Sequence, residues 1–255
     1  MTQTPLDLKA AVVCITGGGS GIGLGLAEKF LQAGSTVIIT GRRESALKAA
    51  QESLPKLHTF QNDVAEASER TKLAAWLLEN HPKLNILINN AGIMRRVNAT
   101  SQAEDWAETQ KEIAINLEAP IHLMQLLTTH FLKQPEAAFI NLSSGLAFVP
   151  PTFAPVYGAT KAAIHQFTMA SRHAYANTKV RLVEIVPPQV QSNLGGTEKG
   201  EPTEAFCKSV FERLAAGELE IGYNKSEEWR QAPRQVHEQV SAGMAKMMRP
   251  PQISI

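Results

Sequence analysis

The chain has 255 residues, 44% hydrophobic and 19% charged, with a formal net charge of +1. That balance fits one large folded unit and excludes a disordered chain, and it gives no electrostatic case for nucleic acid or an anionic membrane. Two cysteines, Cys14 and Cys207, cannot build a disulfide framework, and the seven scattered histidines lack metal-site spacing, so no metal is expected. The opening MTQTPLDLKAAVVCITGG has no basic leader segment, and no stretch approaches a membrane span; a cytoplasmic location is expected.

In chain order, short apolar runs alternate with segments of helical period. AVVCIT (11–16) predicts a first strand and 21–33 a helix, closed by Gly34 as a left-handed cap. TVIIT (36–40) and LHTF (57–60) predict strands around a helix over 43–53, and LNILI (84–88) follows a helix over 66–80. A long helix over 102–133, broken near Pro120, precedes AAFINLS (137–143). A helix over 155–177 then leads to VRLVEIV (180–186), and the last helix is expected over 203–216. Runs apolar throughout are strands covered on both faces. The alternation predicts one α/β domain over 1–255, a Rossmann-like doubly wound parallel sheet flanked by helices. The polar, glycine-rich stretch from about 190 to 204 is too long for a turn and is expected to be a mobile substrate loop.

Two patterns carry chemistry. The first is Thr16-Gly17-Gly18-Gly19-Ser20-Gly21-Ile22-Gly23, between a predicted strand and a predicted helix. Gly17 permits the sharp exit, and Gly21 and Gly23 leave room for a pyrophosphate near the helix N-terminus, whose free N–H groups favour anions. The second is PVYGATK (155–161), which places Tyr157 four residues ahead of Lys161 in a chain with three tyrosines. A free phenol has a pKa near ~10, too high for proton exchange at neutrality, and a cation on the same helix face would lower it. Taken alone, the pair is also what an ordinary amphipathic surface presents.

Taken together, these motifs resemble the short-chain dehydrogenases/reductases, over about residues 10–192. The coenzyme turn is followed in order by Asp63-Val64, Asn89-Asn90-Ala91-Gly92, Asn116, Ser144, Tyr157 and Lys161. The stretch SSGLAFVPPTFAPVYGATK, with VPPQVQS, is most similar to a bacterial subgroup named for the D-alanyl-lipoteichoic-acid operon. The resemblance implies that Tyr157 is the general acid and base of a hydride-transfer reaction between carbonyl and alcohol. It implies that Lys161 lowers the tyrosine pKa and holds the nicotinamide ribose, that Ser144 binds the substrate oxygen, and that Asn116 positions Lys161 through a water. It places Asp63 and Val64 at the adenine, Asn90, Ala91 and Gly92 along the cofactor, and Pro187, Val190 and Ser192 at the nicotinamide. The chain departs from the family at Ala119, where glycine is usual, and at Pro188, which replaces the glycine of P-G. A competing reading is a cofactor-binding redox sensor without turnover.

Cofactor choice turns on the end of the second strand, about 20 residues past the glycines, where an acid binds the ribose hydroxyl of NAD. Here Gly41 takes that place and Arg42 and Arg43 follow, so NADP(H) is expected in preference to NAD(H). The substrate is expected to be a small carbonyl or alcohol; Leu146, Phe148, Val149, Pro151 and Phe153 read equally as an apolar pocket wall near Ser144 or as ordinary core. Arg95 and Arg96 read first as solvated loop cations, with an anionic substrate as the alternative. Apolar residues in excess of one stripe on the helices around Leu123 and Ile164 predict a homodimer or homotetramer.

Overall fold

The computed structural model describes residues 5–97, 105–192, 194 and 199–247. Seven parallel strands form one sheet in the order β3-β2-β1-β4-β5-β6-β7. They are β1 (Val12–Thr16), β2 (Thr36–Gly41), β3 (His58–Gln61), β4 (Ile86–Asn89), β5 (Ala137–Leu142), β6 (Val180–Val186) and β7 (Glu220–Gly222). Successive side chains of a strand face opposite ways, and here both faces are apolar. Val13 and Ile15 point into one core with Leu26, Phe30, Phe206 and Val210; Cys14 points into the other with Leu73, Leu77, Leu127 and Phe131. Every residue of β5 is buried. The order reverses between β1 and β4, and at such a switch point the loops at the strand carboxyl ends part to leave a crevice.

The helices between strands are α1 (Gly21–Ala33), α2 (Glu44–Ser53), α3 (Ala67–Asn80), α5 (Ala119–Phe131), which continues from α4 (Trp106–Ile113), α6 (Pro155–Ala174) and α7 (Thr203–Ala215). Gly34 closes α1 at φ 100, its N–H donating to the Leu31 carbonyl, as expected.

Four elements differ from the sequence expectation. The helix expected over 102–133 is not broken at Pro120; residues 102–104 lie outside the described residues. From Trp106 onward α4 passes through a π turn (Ala114–Glu118) into α5, with right-handed helical dihedrals at Ile113, Glu118 and Ala119. Pro120 has no N–H for the Asn116 carbonyl, and the Ala119 N–H reaches back to the Ala114 carbonyl, which widens the turn instead of bending it sharply. β7 was not anticipated: three residues are too few to show a period, and only pairing with β6 (Ile185 opposite Ile221) defines it. The same holds for α8 (Lys225–Gln231) and α9 (Arg234–Met247), polar helices in which Ser226 alone is buried. Among the described residues no helix is long and apolar enough to cross a membrane.

Candidate active site

The glycine turn is built as its spacing requires. Gly17 (φ 65) and Gly21 (φ 53) occupy the left-handed region that L side chains avoid. Ser20 is the N-cap of α1, yet its hydroxyl caps no N–H, and the first turn carries no acidic residue. The helix start therefore offers bare donors to an anion. Thr16 and Gly23 act from behind. Thr16 Oγ1 accepts from the N–H groups of Asn90 and Ala91, both at 3.1 Å, and Asn90 Nδ2 donates to the carbonyls of Thr16 (2.8 Å) and Gly17 (3.0 Å). A Cβ on Gly23 would stand 2.5 Å from Asn90 Nδ2 and 2.6 Å from the Gly17 oxygen, so only glycine fits.

At the end of β2, Gly41 has open space where a side chain would be, with Leu47 Cδ2 at 3.7 Å. Arg42 follows, its guanidinium 3.9 Å from the Asp63 carboxylate and 46% exposed, and Arg43 is the N-cap of α2. An exposed pair at that separation contributes little to stability and leaves Arg42 available.

Ser144, Tyr157 and Lys161 converge beyond the end of β5. Ser144 opens a short 3₁₀ turn, its Oγ accepting from the Leu146 N–H at 3.1 Å, and it hydrogen-bonds Tyr157. Pro155 starts α6 in the first-turn position that costs no hydrogen bond, which sets Tyr157 and Lys161 one turn apart. Lys161 Nζ donates to the Leu142 carbonyl at 2.8 Å and lies 5.7 Å from the Tyr157 ring centroid. Both side chains are buried. Burial pushes the Tyr157 phenol up to about 12, the Ser144 hydrogen bond partly offsetting it and the Glu112 charge adding to it. Burial also brings Lys161 down to about 8. The phenol is thus raised, not lowered as the sequence spacing suggested. Desolvation by burial is the largest cause of that rise, and the Lys161 ammonium gives its hydrogen bond to the Leu142 carbonyl and not to the phenol.

Asn116 stands behind this group, in the π turn. Its Oδ1 accepts from the Ile93 N–H, and its Nδ2 donates to the Ile93 carbonyl, both at 2.9 Å, and to Thr160 Oγ1 at 3.2 Å. It fastens the segment after β4 to α6; its side chain bonds Ile93 and Thr160 and not Lys161, but adjoins Gly92, where a Cβ would lie 3.4 Å from Asn116 Oδ1 and 3.7 Å from Lys161 Nζ. The tyrosine–lysine spacing recurs at Tyr175 and Lys179. Tyr175 ends α6 with its hydroxyl 2.7 Å from Thr128 Oγ1, far along the helix from Ser144, so spacing alone does not make a site.

One cleft of about 900 Å³ joins these parts. Gly17, Ser20, Gly21, Ile22, Arg42, Arg43, Asp63, Val64, Asn90, Ala91, Gly92, Ser144, Tyr157, Lys161, Pro187, Val190 and Ser192 all line it. Thr16, Gly23 and Asn116 do not, and act as its supports. Pro188 also lines the cleft, and Val190 is buried and bridged to Glu201, so the missing glycine leaves this wall in place. The described ends of the 190–204 stretch are tied together by Gln191 N–H to the Glu201 carbonyl at 2.9 Å; residues 193 and 195–198 lie outside the described residues. Of the candidate apolar wall Leu146 and Phe153 line the cleft and Pro151 does not; Phe148 instead meets His165 edge-on, with centroids 4.7 Å apart, and Val149 is core. Sequence reasoning missed Met94, Trp229 and Met244. Trp229 sits in the short polar helix α8, and Met244 ends a sparse stripe (Val236, Val240, Met244) in α9 that could have flagged it. α8 is pinned to the sheet by ion pairs of Arg230 and Arg172 with Glu220 and of Arg213 with Glu227. Those bonds hold Trp229 against Gly145, where a Cβ would meet its ring at 2.9 Å. Among the described residues no three His, Cys, Asp or Glu side chains converge as a metal would need.

The wider comparison agrees with this geometry. A family model described as short chain dehydrogenase matches residues 11–202. An uncharacterized oxidoreductase, DltE, of Bacillus subtilis strain 168 is 42% identical over 230 residues, covering 87% of this chain and 91% of that protein. A short-chain dehydrogenase from Burkholderia cenocepacia J2315 in complex with NADP has a similar fold at a TM-score of 0.78 and 20% identity, over 96% of this chain and 100% of that one. A short chain dehydrogenase/reductase from Burkholderia phymatum in complex with NAD gives 0.80 at 21%, over 98% and 99%. With the glycine turn, the Asn-Asn-Ala-Gly support and the Ser144–Tyr157–Lys161 cluster in one parallel sheet, the chain belongs to the short-chain dehydrogenase/reductase family.

Proposed function

We propose that this protein is an NADP(H)-dependent oxidoreductase that interconverts a carbonyl and an alcohol, with Tyr157 as general acid and base. The observation that carries the reading is the distribution of groups along one cleft. Arg42 follows β2, the glycine turn follows β1, and Ser144 follows β5, on the far side of β1 and β4 in the sheet. An extended dinucleotide laid across those strand ends would meet each in turn. The cradle fits such a group: bare N–H donors at the start of α1, two left-handed glycines beneath them and an open place at Gly41.

The bound nicotinamide would supply or accept the hydride. The remaining work falls to the chain. Ser144 would hold the substrate oxygen beside the phenol, sharing the charge that develops there. Tyr157 is protonated at neutral pH, as a carbonyl oxygen needs in reduction, but burial makes it a weaker acid, and Lys161 beside it would offset that cost as the proton leaves. In oxidation it must take a proton, and Lys161 would offset the phenolate charge and hold the ribose hydroxyls. Asn116 would keep the support of Lys161 in place. The NADP(H) preference rests on Gly41 and Arg42; the solved relatives in complex with NADP and with NAD support a nicotinamide cofactor of either kind.

A homodimer or homotetramer is proposed on narrower grounds than composition suggested. Leu123, Met124, Leu127, Phe131 and Ile164 are consumed by the chain's own core, leaving Ile121, Leu126, Phe167 and Met169 at least partly exposed on α5 and α6. Sedimentation at micromolar concentration checks it. The activity is tested with a panel of ketones, aldehydes and alcohols and both cofactors, on wild type and Tyr157→Phe. Turnover in the first and its loss in the second is the expected result; a Phe variant as active as wild type overturns the reading.

A further inference from the structure

The two arginines that follow β4 have parted company. The Arg95 N–H donates to Glu112 Oε1 at 3.2 Å, and its guanidinium reaches Thr109 Oγ1 at 3.3 Å, turned toward α4. Arg96 lines the cleft, its guanidinium carbon 4.8 Å above the centroid of the Phe153 ring. The Val97 N–H donates to the Phe153 carbonyl at 3.1 Å, so the two segments are fastened together beside the ring. Phe153 stands four residues ahead of Tyr157, which puts Arg96 at the proton-transfer end of the cleft, across the sheet from Arg42.

We infer that this end of the cleft takes an amphipathic oxo acid or the matching hydroxy acid, with Arg96 binding its carboxylate. This rests on the oxidoreductase reading. A guanidinium held 4.8 Å over an aromatic ring can still present N–H groups at its edge, and two parallel N–H groups are what receives a carboxylate. Among the described residues no carboxylate lies within ion-pair distance of Arg96, and the one acid lining the cleft is Asp63, beside Arg42. Among the described residues no acid therefore answers the cation. The same cleft is lined by apolar Met94, Leu146, Trp229 and Met244, with Gln189 and Lys199 among its polar members. A wall of that kind beside one unanswered cation suits a ligand with an apolar or aromatic body and a single negative end. It disfavours both a sugar, which needs many polar partners, and a wholly apolar ketone, which leaves the arginine without a function.

The test uses phenylglyoxylate, phenylpyruvate, benzoylpropionate and benzoylbutyrate, each against its methyl ester, so that the spacer between carbonyl and carboxylate varies while the aromatic body is kept. Turnover is followed with NADPH. Binding to the NADP-loaded protein is followed by calorimetry, which needs no turnover. For the acid with the best spacer, wild type should show kcat/KM and affinity about tenfold above the ester. Arg96→Met should remove that preference, bringing the acid down to its own ester within the same variant, and Arg96→Lys, which keeps the charge but not the fork, should show a preference between those of wild type and Arg96→Met. Wild type that favours every ester, or an Arg96→Met variant that keeps the acid preference, overturns the inference while leaving the oxidoreductase reading intact. Acids that bind through Arg96 but are never reduced, with no other carbonyl turned over, support the anion site and count against the activity.

Discussion

Lys161 Nζ stands 5.7 Å from the centroid of the Tyr157 ring, one turn earlier on the same helix, and gives its hydrogen bond to the Leu142 carbonyl. The fold thus buries an ammonium with one carbonyl for a partner. Its pKa falls from 10.5 to about 8, so the folded state binds fewer protons than the unfolded chain between those values. Stability rises with pH across that window, and the cost of the buried charge is fully present below it. At neutral pH the cost is about 3 kcal/mol at most. Lys161→Met should be at its most favourable relative to wild type near pH 7, and should lose that advantage by about pH 10. Paired denaturant titrations without cofactor check it; a difference that does not change with pH would contradict the assignment.

Tyr157→Phe keeps the ring and removes the proton. Turnover should drop by at least about a hundredfold, the scale of a lost general acid, while NADPH affinity stays within about twofold. Steady-state kinetics beside a fluorescence titration separates the two.

Glu112 is fully buried, with Oε1 held by the Arg95 N–H and Oε2 lacking a hydrogen-bond partner among the described residues. Burial lifts its carboxyl above the ordinary range despite Arg95, and its charge in turn raises Tyr157. A raised carboxyl costs stability when ionised, and that cost disappears as pH falls through its folded value. Glu112→Gln should therefore gain about 1 kcal/mol near pH 7 and nothing near pH 4. The pH limb of kcat assigned to Tyr157 should move to lower pH in the same variant. An unmoved limb would remove Glu112 from the electrostatics of the site.

Arg42→Ala should weaken NADPH roughly ten- to a hundredfold, the loss of one charge-assisted contact, and leave NADH almost unchanged. Gly41→Asp should reverse the preference without unfolding the chain, because the nearest atom to the new Cβ is the flexible Leu47 Cδ2 at 3.7 Å. Titrating both cofactors decides the matter; a wild type that binds NADH as tightly as NADPH would refute the reading.

Gly23→Ala forces a methyl into Asn90 Nδ2 and the Gly17 oxygen, the pair that holds the turn closed. It should cost about 1–3 kcal/mol in stability and weaken both cofactors alike, since the damage lies under the turn. Thermal unfolding with and without NADPH measures both effects.

Six of the seven strands were legible from short apolar or β-branched runs; most of these are covered on both faces, and the edge strand β3 is only partly buried. The glycine turn, Tyr157 and Lys161 were legible because backbone sterics and helix spacing act over a few residues. β7 and α8 were not. Their positions depend on Glu220 meeting Arg172 and Arg230, and on Ile221 pairing with Ile185, contacts between residues far apart in sequence. Trp229 reaches the cleft only through those contacts.

The sequence by itself determined the alternating parallel architecture and the order of the chemical groups along the chain, which follow from local period and spacing, and its combined motifs resembled the family. The tertiary structure alone decided the protonation of those groups and the shape of the substrate end. Tyr157 is raised to about 12 where spacing had argued for lowering, because burial is a property of everything packed around a side chain. Of Arg95 and Arg96, neighbours of identical chemistry, Arg96 lines the cleft while Arg95 is held toward Glu112 and Thr109. Which of two adjacent cations meets a ligand is fixed by partners supplied from α4 and from Phe153, and no local rule contains them.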